Sequence, residues 1–177
     1  MPFLAALVLA AAAPQPCSLT RVAQCDAMWQ LVERPDFQRA LHRFLGSGEA
    51  SWTLANTDKF EQVRLTLSVS GTKPKRLPDG IISLGGCFPH NCPERAQVFF
   101  APGGEIRAVA LLYHDCGGRT CSGAEDFTLR ILVRARAPQI EEDARQWARG
   151  EFRQDAEKFP QFGPYRLAKS VVQLLRD

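Results

Sequence analysis

The sequence predicts an α+β domain, in which helices pack on an antiparallel β-sheet of about five strands and one stiff loop protrudes. Three observations carry that prediction. Segments near both ends of the 177-residue chain place apolar residues at helical spacing. Runs in the middle alternate apolar with polar residues, or are short and apolar, as strands are. Gly and Pro clusters interrupt those central runs where turns between strands belong.

Taken in chain order, the first residues read MPFLAALVLAAAAPQPC, with an apolar run from Phe3 to Ala13 and small residues Ala11, Ala12 and Ala13 suited to cleavage. Residues 1–13 therefore resemble a secretory signal peptide, too short for a stop-transfer helix. Residues 17–177 read as a single domain, with 137–177 as a helical tail. Asp26 to Glu33 is expected to be helical. Pro35 opens a second helix, PDFQRALHRFL, whose apolar stripe is Phe37, Leu41, Phe44 and Leu45 and whose stop is Gly46.

In FEQVRLTLSVS, Val63, Leu65, Leu67 and Val69 alternate with polar residues, the pattern of a half-buried strand. GTKPKRLPDG is a turn region and GIISLGG a short strand. RAQVFFA and EIRAVALLY, joined through Pro102, Gly103 and Gly104, read as a hairpin. DFTLRILVRARA sets Phe127, Leu129, Ile131 and Val133 on one face of a further strand. In the tail, Ile140, Ala144, Trp147, Ala148 and Phe159 recur at roughly helical spacing. Glu141, Glu142 and Asp143 stand near the start of that helix, where its dipole favours negative charge. RLAKSVVQLLRD is expected to form a last short helix, with a strand as the alternative.

Composition narrows the function classes. The chain is 45% hydrophobic and 23% charged, with a formal charge of +3. Its basic residues are scattered, so no nucleic-acid footprint is visible, and no segment suggests stable membrane insertion. No nucleotide-binding loop, hydrolase elbow or HExxH zinc motif occurs. The three histidines are His42, His90 and His114. The acidic residues show no arrangement that sets a catalytic pair apart from surface charge. The residues alone show no catalytic signature and call for no cofactor or metal.

The six cysteines fall into three local pairs: Cys17 with Cys25, Cys87 with Cys92, and Cys116 with Cys121. Many other connectivities are open to six cysteines. An even count behind an apolar leader favours disulfides in an oxidising compartment. The alternative is a zinc site drawn from Cys87, His90, Cys92, His114, Cys116 and Cys121, since tetrahedral zinc takes Cys and His. These spacings are not those of a standard finger.

The stretch GGCFPHNCPE, Gly85 to Glu94, concentrates the remaining chemistry. If Cys87 and Cys92 bond, a small ring is closed. Pro89 restricts its own φ and biases Phe88 towards extended geometry. His90 then sits at the tip of a stiff loop that loses little freedom on binding. One reading is a prong whose imidazole enters a carboxylate-lined cleft. The other is a braced surface turn whose histidine faces water.

At these residues the sequence resembles the inhibitor of vertebrate lysozyme family (Ivy), which carries a disulfide-closed loop of the form C-K-P-H-D-C between strands. Cys87, Pro89, His90 and Cys92 match in type and spacing, while Phe88 stands in place of the lysine and Asn91 in place of the aspartate. The surroundings are similar over roughly Asp36 to Ala137: a DFQRAL helix before the strands, RAQVFFAPGGEIRAVALL after the loop, then DFTLRILV. The resemblance implies a periplasmic protein inhibitor rather than an enzyme, whose loop plugs the active-site cleft of lysozyme or another peptidoglycan-cleaving enzyme. It also implies that the loop histidine hydrogen-bonds the two catalytic carboxyl groups, and it leaves room for a homodimer. The Cys116–Cys121 loop and the tail from Gln139 have no clear counterpart in the family.

Overall fold

The computed structural model describes residues 17–69, 71–115, 126–162 and 165–176. The expected leader over 1–13 and the expected Cys116–Cys121 pair lie outside the described residues. A 3-10 helix at Leu19–Gln24 precedes α1 (Trp29–Val32) and α2 (Pro35–Leu45). The Cys17–Cys25 disulfide forms and ties this 3-10 helix across its length. α2 is the helix that Pro35 and Gly46 frame. Its stripe of Phe37, Leu41, Phe44 and Leu45 is buried. Gly46 takes a φ of 70°, in the region that glycine enters without penalty. The last carbonyls of α2 are capped from far along the chain: Arg134 donates to the Phe44 carbonyl at 2.8 Å and to the Arg43 carbonyl at 2.6 Å.

A short ladder between β1 (Glu49–Ala50) and β2 (Thr57–Asp58) leads into α3 (Lys59–Thr66). This corrects the strand expected for FEQVRLTLSVS. The Asp58 carboxylate accepts from the Phe60 and Glu61 amides and nucleates a helix there. The buried face is Gln62, Val63, Thr66 and Leu67, which is helical spacing with polar members. The Gln62 side chain accepts from the Trp52 and Leu54 amides and donates to the Ala50 and Thr57 carbonyls. The Thr66 hydroxyl donates to the Gln62 carbonyl at 2.7 Å. These bonds satisfy the backbone of the 50–57 loop, which explains why polar groups occupy an inward face.

The main sheet runs β3 (Lys75–Arg76), β4 (Ile82–Phe88), β5 (Asn91–Phe100), β6 (Ile106–Tyr113) and β7 (Asp126–Val133), then α4 (Pro138–Lys158), a 3-10 turn at Pro160–Phe162, and β8 (Arg166–Leu174). The six strands lie in sequence order. Neighbours are antiparallel as far as β7, and β8 pairs with β7 in parallel. The protein is thus α+β as expected, but the sheet is mixed and its last strand comes from the segment expected to be a helix. The cause is the length of α4. Its 21 residues span about 31 Å at 1.5 Å per residue. That carries the chain back along the sheet, so it re-enters at the same end.

Both faces of the sheet are covered. On one face, α1, α2 and α3 pack against Leu84, Val98, Phe100, Val109 and Leu111. On the other, Ile140, Ala144, Ala148 and Phe152 of α4 pack against Phe99, Ala110, Leu112, Phe127, Leu129 and Ile131. Two-sided cover is the reason β6 is almost continuously apolar rather than strictly alternating.

Candidate functional site

β4 and β5 pair in register from Ile82 opposite Phe100 to Cys87 opposite Arg95, and the register then shifts. The next pair is Phe88 opposite Asn91, which closes the tip. Cys92, Pro93 and Glu94 are therefore a bulge on β5, and Pro89-His90 is a two-residue turn. Proline presets φ at the first central position of such a turn. His90 has a φ of 61°, the positive value that a type II turn needs at the second. The His90 side chain is exposed at this tip.

The Cys87–Cys92 disulfide forms, with the two Cα atoms 4.8 Å apart. It fastens the end of β4 across the bulge. Cys87 is buried and its backbone exchanges hydrogen bonds with Val69, so one end of the bridge is fixed in the sheet. Phe88 and Asn91 are half-buried and Cys92 is exposed. The structure thus brings the six residues Cys87, Phe88, Pro89, His90, Asn91 and Cys92 to one hairpin tip. With Cys87 and Cys92 joined, the zinc alternative loses two of its ligands. Among the described residues no group of three or more His, Cys, Asp and Glu is placed to hold a metal ion.

Glu94 is the base of the prong. It is buried, and its Oε1 accepts from the His114 amide at 3.1 Å. Burial pushes its carboxyl above the usual carboxylate range, partly offset by the His114 amide and charge and by a hydrogen bond from the Asn91 side chain. The His114 ring lies on Phe127, with centroids 3.8 Å apart, and its Nδ1 is 3.3 Å from the Asp126 carbonyl. His114 therefore couples the bulge to the start of β7.

Beside the prong lies a cleft of ≈ 430 Å³, between the β4–β5 end of the sheet and α4. Arg95 crosses it, pairing with Glu151 and Asp155 of α4. The Arg95 Nε and the Gln97 Oε1 are buried without a hydrogen-bond partner among the described residues. Sequence reading passed over Arg95, Gln97, Glu151 and Asp155. The one signal was their type: a charged and an amide residue at alternate positions of β5, where an inward strand face asks for apolar side chains. No family model, curated protein or solved structure matches the chain.

Proposed function

We propose that this protein is an exported inhibitor that plugs the cleft of a lysozyme-type, peptidoglycan-cleaving enzyme with the Cys87–Cys92 hairpin. The observation that carries the reading is the tip itself: an exposed imidazole on a two-residue turn that a disulfide, a proline and a paired strand register all constrain. A prong built this way enters a cleft with little further loss of freedom. A lysozyme cleft holds one carboxyl of raised pKa and one ionised carboxylate. An imidazole donates to the second and accepts from the first, and the loop excludes water and substrate. The CxPHxC pattern is the family resemblance that supports this target class. Two disulfides among the described residues favour an oxidising compartment such as the periplasm. No helix among the described residues is long and apolar enough to cross a membrane.

The neutral Phe88 and Asn91 set this prong apart from the family loop. With a formal charge of +3, the chain is steered towards acidic enzymes and away from basic ones. The deciding experiment titrates a vertebrate C-type lysozyme with the purified oxidised chain and with His90→Ala. Inhibition that collapses in His90→Ala supports the plug. Equal inhibition by that variant refutes it. No inhibition by the parent moves the target to the cell's own peptidoglycan-cleaving enzymes, to be tested with the same pair of proteins.

A further inference from the structure

The cleft beside the prong does not end at Arg95. A second cleft of ≈ 400 Å³ shares Thr72, Trp147 and Gln154 with it, so the two form one groove. The groove follows β4 from Cys87 back to Ser83, about 14 Å at the rise of a strand. Its walls are α4 on one side and residues 71–77 on the other. The second wall is fixed to the strand that carries the prong. Val69 exchanges backbone hydrogen bonds with Cys87, and Gly71 lies so close that a Cβ there would fall 1.6 Å from the Gly85 carbonyl oxygen. Prong and groove are therefore one continuous surface, joined at Cys87 and Cys92.

Charge says what the groove receives. Lys73, Lys75, Arg153 and Lys158 line it, all are exposed, and none forms an ion pair among the described residues. The acids that line it are turned inward. Glu151 and Asp155 are buried on Arg95, and Asp143 is half-buried with its Oδ2 fully buried. The surface offered to a partner is thus cationic. Phe159, 46% exposed, adds an apolar contact at the end nearest the prong. An enzyme whose cleft admits the prong places one wall of that cleft alongside it, and the groove is the space on the α4 side. Exposed cations there repel a basic wall and attract an acidic one. We infer that the groove seats an acidic segment of the target's cleft wall, with an apolar side chain against Phe159. The inference rests on the plug reading and names its partner: a peptidoglycan-cleaving enzyme with an acidic cleft wall.

The test measures, by calorimetry, binding of the full oxidised chain to a vertebrate C-type lysozyme, native and with its lysines succinylated. Succinylation turns the wall acidic and leaves the cleft carboxyl groups in place. One variant is His90→Ala, and a second joins Lys73→Glu with Lys158→Glu in the groove. A third joins Arg39→Glu with Arg43→Glu, exposed on α2 across the sheet, and alters net charge equally. The expected result is tighter binding to the succinylated enzyme, weakened about tenfold by the groove pair and less than about threefold by the α2 pair. Phe159→Ala should weaken the same complex severalfold. Equal losses from the two pairs overturn the inference, because net charge alone would then account for them. So does tighter binding to the native enzyme, or no binding to either form by the folded parent. Saturation of the groove by soluble polyglutamate with no loss of enzyme binding puts a free polyanion there and overturns it too. Failure of the plug shows differently: His90→Ala would then bind as tightly as the parent, and the inference would fall with the plug.

Discussion

Opening the Cys87–Cys92 ring by Cys87→Ala with Cys92→Ser tests whether the prong works by being rigid. Alanine suits the buried Cys87 site, and serine suits the exposed Cys92 site. The two cysteines are five positions apart, and closing so short a loop restricts the unfolded chain by about 2 kcal/mol at 25 °C. Stability to urea should fall by about that amount. The same figure sets a ceiling on the affinity lost through a loosened tip, because about 2 kcal/mol corresponds to roughly thirtyfold. The loss should be smaller than the ceiling, since the Phe88–Asn91 pair and the Glu94–His114 bond remain. A three- to thirtyfold weaker inhibition constant is the expectation, within the range about 0.7–2 kcal/mol implies. An unchanged constant refutes the argument from rigidity. A loss far beyond thirtyfold refutes it differently, because the disulfide would then be touching the enzyme.

Further outcomes follow from other positions. His90→Gly removes a side chain from a φ of 61°, a relief of about 1 kcal/mol that the freer unfolded glycine offsets by a similar amount. Urea stability should barely move while inhibition falls about tenfold or more, and strong inhibition by this variant would remove the imidazole from the mechanism. Glu94 has a carboxyl raised above 4.5 by burial, so between 4.5 and its folded value the native state binds more protons than the unfolded chain. Its contribution to stability is complete below 4.5 and is lost as pH rises through that window, so Glu94→Gln should gain stability over the parent at neutral pH but not in acid. Urea midpoints at about pH 4 and about pH 8 decide this, and a less stable variant at the higher value contradicts it. Arg95→Met leaves Glu151 and Asp155 buried without their cation and should cost about 3–5 kcal/mol. Adding Glu151→Leu and Asp155→Leu should restore most of it, and denaturant melts of both variants check the pair. Against a basic lysozyme, association should quicken as salt screens the +3 chain, which stopped-flow rates will show.

Sequence made the central part of this fold legible because there the local signals agree. Pro35 and Gly46 bound α2, and period-2 or apolar runs between Gly and Pro turns mark β4, β5, β6 and β7. α3 was not legible, because the same residues that alternate in sequence carry a helix whose inward face includes Gln62 and Thr66. A hydrophobic pattern has no means of showing a polar face that is buried to hold a neighbouring loop. β8 was ambiguous because its burial depends on β7, a partner 40 residues earlier through the Arg166–Asp126 contact. For the site, the six residues of the CxPHxC tip were visible as a motif. The anchor of the bulge was not, since Glu94 and His114 are 20 residues apart and meet only through the sheet. Arg95 likewise meets Glu151 and Asp155 across 56 and 60 residues, a distance at which spacing carries no information.

The late return of the chain through α4 to β8 also sets an order of assembly. A ribosome delivers the five antiparallel strands first, each able to pair with the one just made. Until the last forty or so residues arrive, the row of Phe127, Leu129, Ile131 and Val133 has no cover from α4, and the β7 edge has no parallel neighbour. A chain cut short before Pro138 would keep its hairpin and its disulfide tip and yet expose an apolar sheet face. The C-terminal segment is thus the part that converts a sticky intermediate into a durable product, and lesions there should show as poor yield and clumping before they show as a weaker prong.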